Sequence, residues 1–236
     1  MDYLNQPEAL GPIVEGPEAT LPQPVVLQGR LVSLSPIDPE THTQSLYEKS
    51  HGADAEQLWR YLFDSPCSNI AAFKDFLFAK SKEPDRLCFA IVDNALGEAV
   101  GMASYMSIDR PNRRIEVGSI LFTPPLQSTA GGTEAMYLMA RHAFEQLHYR
   151  RYEWKCNALN QPSRRAALRY GFQFEGIFRQ HMIMKGRNRD TAWFSMLDSE
   201  WASRKEAFER WLDPSNFDAN GQQRTSLSQL NASTLV

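Results

Sequence analysis

Residues 120–135 read Ile120-Leu121-Phe122-Thr123-Pro124-Pro125-Leu126-Gln127-Ser128-Thr129-Ala130-Gly131-Gly132-Thr133-Glu134-Ala135, a strand end, a proline stop, a loop with paired glycines and a helix start. Neither nitrogen of Pro124-Pro125 carries a hydrogen, so the ladder ends there. Met136, Met139, Ala140, Ala143, Phe144 and Leu147 then recur at helical spacing and predict an amphipathic helix over 132–147. A helix N-terminus offers unpaired N–H groups and about half a positive charge, which suits a phosphate. Gly131 and Gly132 would let the backbone close on such a group, although a Gly-Gly pair before a helix is also a common tight turn. No lysine follows them as in a nucleoside-triphosphate loop, and the preceding strands read as hairpins rather than a βαβ dinucleotide unit.

Upstream of this stretch, residues 25–34 predict a strand. A helical region follows with Asp54 as N-cap and Leu58, Trp59, Leu62 and Phe63 at helical spacing, then a helix over 68–82 closed by Pro84. Strands are expected over 87–92, 99–108 and 114–122, joined by turns at 93–97 and 109–112. Downstream come a strand over 151–156, a helix over 162–170, a long hairpin (172–184 and 191–197) and a terminal helix over 198–211. The basic run Lys185-Gly186-Arg187-Asn188-Arg189 reads as a solvated hairpin tip. The order β-α-α-β-β-β-α-β-α-β-β-α makes a mixed α/β (α+β) sheet in one domain over 25–212. Residues 1–24, with prolines at 7, 12, 17, 22 and 24, and the polar stretch 213–236 are expected to be flexible, too poor in apolar surface to offset the cost of ordering.

Composition narrows the classes. Of 236 residues 42% are hydrophobic, enough for a sizeable core. Twenty-five Lys+Arg against 28 Asp+Glu give a net charge of −3, with no basic excess for a nucleic-acid partner. No run is long and apolar enough for a membrane span, and the first twenty residues lack the basic start of a signal peptide. Cys67, Cys88 and Cys156 show neither metal-ligand nor disulfide spacing, so reduced thiols, a cytoplasmic location and no metal are expected.

Three motifs in order carry a resemblance. The loop Gln127-Ser128-Thr129-Ala130-Gly131-Gly132 runs into Thr133-Glu134-Ala135; Asn160-x-x-Ser163 leads to Gly171-Phe172 and Glu175-Gly176; and Asp190 leads through Phe194-Ser195 to Glu200-Trp201. Together they resemble the RimJ/RimL-like branch of the GNAT N-acetyltransferase superfamily, over residues 25–201. The chain departs from the family pattern at Ala130, where the loop's first glycine would stand. It departs again at Ala167, where many members have a tyrosine acid; Tyr170 is not equivalent to it.

The resemblance implies a mostly antiparallel central sheet flanked by helices, with two parallel strands splaying at the cofactor site. It implies an N-acetyltransferase that moves an acetyl group from acetyl-CoA to a primary amine of a small molecule or a protein N-terminus; the alternative is a non-catalytic CoA-binding regulatory module. The pantetheine arm is expected along Ile120, Leu121 and Phe122, and the pyrophosphate over Gln127, Ser128, Thr129, Ala130, Gly131, Gly132 and Thr133. Asn160, Ser163 and Arg164 are expected as further cofactor contacts, with Asn160 otherwise a helix cap. Glu116 is the candidate for the amine proton, its bland alternative being a surface carboxylate paired with Arg113 or Arg114. Trp59 and Tyr61 are expected to line the acceptor slot, with His181 either beside it or a solvated strand histidine. A homodimer is compatible with the long hairpin and terminal helix.

Overall fold

A computed structural model describes residues 10–233. Eight strands form one sheet in the order β1-β2-β3-β4-β5-β6-β8-β7. They are β1 (Leu27–Gln28), β2 (Val32–Pro36), β3 (Leu87–Asp93), β4 (Glu98–Asp109), β5 (Arg114–Phe122), β6 (Arg151–Asn157), β7 (Gln173–Met184) and β8 (Arg187–Leu197). Every pair is antiparallel except β5 and β6. The helices are α1 (Pro39–Ser50), α2 (Ala55–Trp59), α3 (Ile70–Ser81), α4 (Ala130–Arg141), α5 (Gln161–Arg169), α6 (Asp198–Leu212) and α7 (Leu227–Ser233).

The central strands carry near-continuous apolar runs because both sheet faces are covered. Alternate residues serve opposite layers: Phe89, Ile91, Val100, Ala103 and Tyr105 face the side packed by α4, while Cys88, Ala90, Ala99 and Met102 face Phe73 and Leu77 of α3. Glu134 locks α4 to the start of β2. Its buried carboxylate accepts the backbone N–H of Arg30 at 3.0 Å, Leu31 at 2.6 Å and Val32 at 2.9 Å. A side chain at Gly29 would come within 2.8 Å of the same carboxylate, which is why the approach to this clamp is a glycine.

β5 and β6 set up the site. They pair in parallel only over Arg114–Glu116 against Arg151–Glu153, then part. Beyond Glu116, β5 has β4 on one side only, and its ladder with β4 is broken by a bulge between Gly118 and Leu121, where Ser119 takes φ 49°.

The structure differs from the sequence expectations in four places. The single strand expected over 25–34 is a tight hairpin, β1 pairing antiparallel with β2. Helix α1 was not expected; its inward face is His42, Thr43, Leu46 and Ser50, mostly polar, so no apolar stripe marks it. The composition of residues 213–236 predicts a loose tail, but α7 packs on α6 through buried Leu227 and Leu230, and Arg204 Nη1 donates to the Asn231 carbonyl at 3.0 Å. Within residues 1–24, of which 1–9 lie outside the described residues, Ala19 is buried and exchanges bonds with Arg110, its amide donating at 3.2 Å and its carbonyl accepting at 2.9 Å.

Candidate active site

The fork between β5 and β6 holds a cavity of about 130 Å³. Glu116, Gly118 and Ile120 of β5 line one wall, with Trp154, Lys155 and Cys156 of β6 and Asn160 and Ser163 of α5 opposite. Leu58, Tyr61, Leu62, Phe63 and Arg189 form its roof.

Glu116 is buried, and its partner is neither Arg113 nor Arg114. Lys155 Nζ lies 2.8 Å from Glu116 Oε2 and 2.8 Å from Glu153 Oε2, while Ser107 Oγ donates to Glu116 Oε2 at 2.8 Å. The sheet register places Glu116 beside Glu153, so two carboxylates share one ammonium. Burial would raise the Glu153 carboxyl, but hydrogen bonds from Lys155 and Arg151 outweigh it and hold the pKa below its usual range. Oε1 of Glu116 has no partner among the described residues and faces Gly118, where a Cβ would come within 3.3 Å of it.

Asn160 caps α5, its Oδ1 accepting the Ser163 N–H at 3.2 Å, while Nδ2 has no partner among the described residues at the cavity wall. Ser163 Oγ accepts from Trp154 Nε1 at 3.0 Å. The Ser163 hydroxyl proton therefore points elsewhere, and Cys156 sits beside it. Burial pushes the Cys156 thiol up, against a smaller opposing effect of Ser163.

At the start of α4 the glycines serve the protein's own packing. A Cβ on Gly131 would meet Val32 Cγ1 at 2.9 Å, and one on Gly132 would meet the Leu126 carbonyl and the Phe122 ring at 3.0 Å. Thr129 Oγ1 caps the helix by accepting the Gly132 N–H at 3.1 Å. The N–H groups of Ala130 and Gly131 have no partner among the described residues, and Ser128 turns the chain into the helix with φ 60°. These two amides fit an anionic oxygen, and the one-sided stretch of β5 fits an extended arm, so the residues present are compatible with acetyl-CoA.

Several expected contacts point elsewhere. The Phe122 carbonyl is taken by Gln127 Nε2 at 2.8 Å, and Leu121 turns into the core layer under α3. Thr133 is buried against Arg169, whose Nη1 donates to its Oγ1 at 3.0 Å. Arg164 Nη1 reaches back to the Ala158 carbonyl at 3.3 Å rather than out to a phosphate. Trp59 is fully buried with Nε1 bonded to the Ser50 carbonyl at 3.0 Å, so it supports the roof from behind. Tyr61 does line the cavity, with its hydroxyl 3.3 Å from the Leu159 carbonyl. His181 lies outside, exposed on β7 with Nδ1 at 3.0 Å from Thr191 Oγ1. Tyr170 is buried below Trp154, away from the cavity.

The basic hairpin tip is exposed at Lys185, Gly186, Arg187 and Asn188, as expected, and departs from that reading only at buried Arg189. Lys185 (φ 49°) and Gly186 (φ 71°) make a two-residue turn that swings over the end of α2, where Lys185 Nζ donates to the Trp59 carbonyl at 2.9 Å. Arg189 follows it inward. Sequence reasoning passed over Lys155, Cys156 and Arg189. For Lys155 the signal was present, since Glu153 and Lys155 alternate onto one face of a strand; for Arg189 none was, because only the bulge between Phe178 and Met182 bends the hairpin back.

The sequence profile of the GNAT acetyltransferase domain matches residues 32–173. A GCN5-related N-acetyltransferase from Brucella melitensis is 46% identical, with a TM-score of 0.90 over 92% of this chain and 98% of that one. An uncharacterized N-acetyltransferase p20 from Bacillus licheniformis is 29% identical over 63% of this chain and 90% of that protein. RimL, a ribosomal L7/L12 alpha-N-protein acetyltransferase solved in complex with coenzyme A, shares the fold at 18% identity and a TM-score of 0.62, over 73% of this chain and 98% of that one. The chain belongs to the GNAT acetyltransferase family, as an acetyl-CoA-dependent N-acetyltransferase. No described helix is long and apolar enough to cross a membrane, and no described cluster of three His, Cys, Asp or Glu could hold a metal ion.

Proposed function

We propose that a primary amine, of a small molecule or a protein N-terminus, attacks the acetyl-CoA thioester directly in the β5–β6 fork, with both substrates bound at once. The observation that carries this is the parting of β5 and β6 after Glu116, which leaves a cavity and an unpaired backbone edge side by side. Acetyl-CoA supplies an activated acyl carbon and a thiolate leaving group. The β5 edge from Gly118 to Ile120 holds an extended arm, and the amides of Ala130 and Gly131 hold an anion at the far end. Glu116 Oε1 is the acceptor for the amine proton, directly or through a water, while Lys155 and Ser107 hold its other oxygen. As the C–N bond forms and the C–S bond breaks, the departing thiolate accepts a hydrogen bond from Ser163 Oγ–H and takes its proton from solvent, while Glu116 passes the amine proton on to solvent. Asn160 Nδ2 orients a carbonyl oxygen there.

A thermal melt with acetyl-CoA, free CoA and NAD tests the cofactor half. Ligand at one hundred times its dissociation constant stabilises by about 2.7 kcal/mol, a rise of several degrees for a chain of this size. Acetyl-CoA and CoA should shift the melt and NAD should not. Thiol release across a panel of amines tests the rest, and binding without turnover of any amine would leave only the regulatory-module alternative.

A further inference from the structure

Arg189 is 6% exposed and lines the cavity roof; no described carboxylate bonds it directly, and the acidic charge that acts on it, Glu116, is already held by Lys155. Its Nε donates to Thr191 Oγ1 at 3.2 Å, its Nη1 touches Met184 Sδ at 3.7 Å, and its guanidinium stacks over the Phe63 ring at 4.8 Å. Nη2 has no partner among these. The other cation of the cavity, Lys155, is fully matched by Glu116 and Glu153. A buried guanidinium with no carboxylate bonded to it is costly, and it is left able to take one that arrives with a ligand.

We infer that Arg189 is an acceptor-specificity residue, pairing with an anionic group, chemically a carboxylate, carried by the amine a few atoms from its nitrogen. This rests on the proposed function, because it assumes that the acceptor amine enters this cavity. The charge logic fits both ends of such a molecule. Glu116 faces the amine, and Arg189 in the roof would repel a plain cationic amine while holding one that brings its own carboxylate. The pantetheine arm of acetyl-CoA is uncharged, and the anion-binding amides at the start of α4 lie at the other end of β5, so the cosubstrate does not supply the missing charge.

The test compares matched acceptors on the full chain: glycine, β-alanine and glutamate against glycinamide, ethylamine and putrescine, and peptides with a second-position Glu against the same peptides with Gln. The expected result is a kcat/KM preference of about tenfold or more for the carboxylate-bearing member of each pair. Whether the free amino acids or the acidic peptides show it identifies the source of the carboxylate. Arg189→Gln should collapse the preference while leaving the KM for acetyl-CoA unchanged, and Arg189→Lys should retain part of it. Phe63→Leu removes the stacking but keeps the guanidinium, and should keep the preference ratio; that separates anion binding from a roof-bracing role. Equal turnover of neutral and anionic amines, or a preference that survives Arg189→Gln, overturns the inference and spares the proposed function. Turnover of no amine overturns both.

Discussion

Lys155 Nζ stands 2.8 Å from Glu116 Oε2, and this buried contact sets what the carboxylate can do. One oxygen is committed to the ammonium and to Ser107, and the other is left facing the cavity. Lys155 also bonds Glu153, the register neighbour of Glu116, so it separates two carboxylates that would otherwise repel each other out of water. Removing it should therefore damage the fold before the chemistry. Lys155→Met is expected to cost about 3 kcal/mol, the usual scale for breaking a buried pair from one side, seen as a lower Tm. A variant with Glu153→Gln added should recover part of that loss.

Glu116→Gln keeps the shape and an oxygen for Lys155 but removes the proton acceptor. We expect kcat to fall about 100-fold or more, with the KM for acetyl-CoA little changed. Steady-state kinetics at saturating amine reads this, and an unchanged kcat would remove Glu116 from the reaction.

Ala130 stands where the family loop has a glycine, yet it is the first residue of α4, packed beside the core, and only the preceding Ser128 has a positive φ. A Cβ is therefore tolerated here. Ala130→Gly should leave acetyl-CoA affinity within about threefold and lower stability by up to about 1 kcal/mol, the usual cost of a helical glycine. Calorimetric titration with CoA and a thermal melt together check it. A large gain in affinity would mean that the alanine weakens the cradle.

His42, His51 and His142 all have pKa values lowered by burial. Each is held neutral in the fold but takes a proton in the unfolded chain near the usual value of about 6.5. The unfolded state binds more protons once pH drops below that value, so stability should fall steadily from about pH 6.5 downward until the folded-state values are passed. His142, whose Nδ1 lies 3.2 Å from the Tyr105 hydroxyl, is the most enclosed of the three. His142→Asn should flatten the slope of urea-derived stability between pH 6.5 and lower values, and an unchanged slope would assign the acid sensitivity to other groups.

Much of the fold was legible because its signals are local. The strand-to-helix run at 120–135 carries a proline stop, glycines and a helical stripe within sixteen residues, and α4 begins inside it. What escaped depends on contacts distant in sequence. α1 hides behind a polar inward face, and α7 was masked by its polar composition although Leu227 and Leu230 are buried. The candidate site was half legible: Glu116, Asn160, Ser163 and Tyr61 meet in one cavity, but Lys155 and Arg189 join them only because β6 and the bent β7–β8 hairpin converge there. Gly131 and Gly132 read in the sequence as either room for a phosphate or a tight turn; the structure adds that Val32, Leu126 and Phe122 crowd the positions a Cβ would take. A sequence shows that a Cβ is missing but not what it would strike.

Direct transfer within a ternary complex competes with a covalent route, and the nearby nucleophile that would offer that route is Cys156. Burial raises its thiol pKa, so little thiolate is available to take the acetyl group. Initial velocities measured over a grid of acetyl-CoA and amine concentrations decide between the two. Intersecting double-reciprocal lines, with Cys156→Ala still active, are the expected result; parallel lines and an acetylated Cys156 trapped in the absence of amine would contradict it.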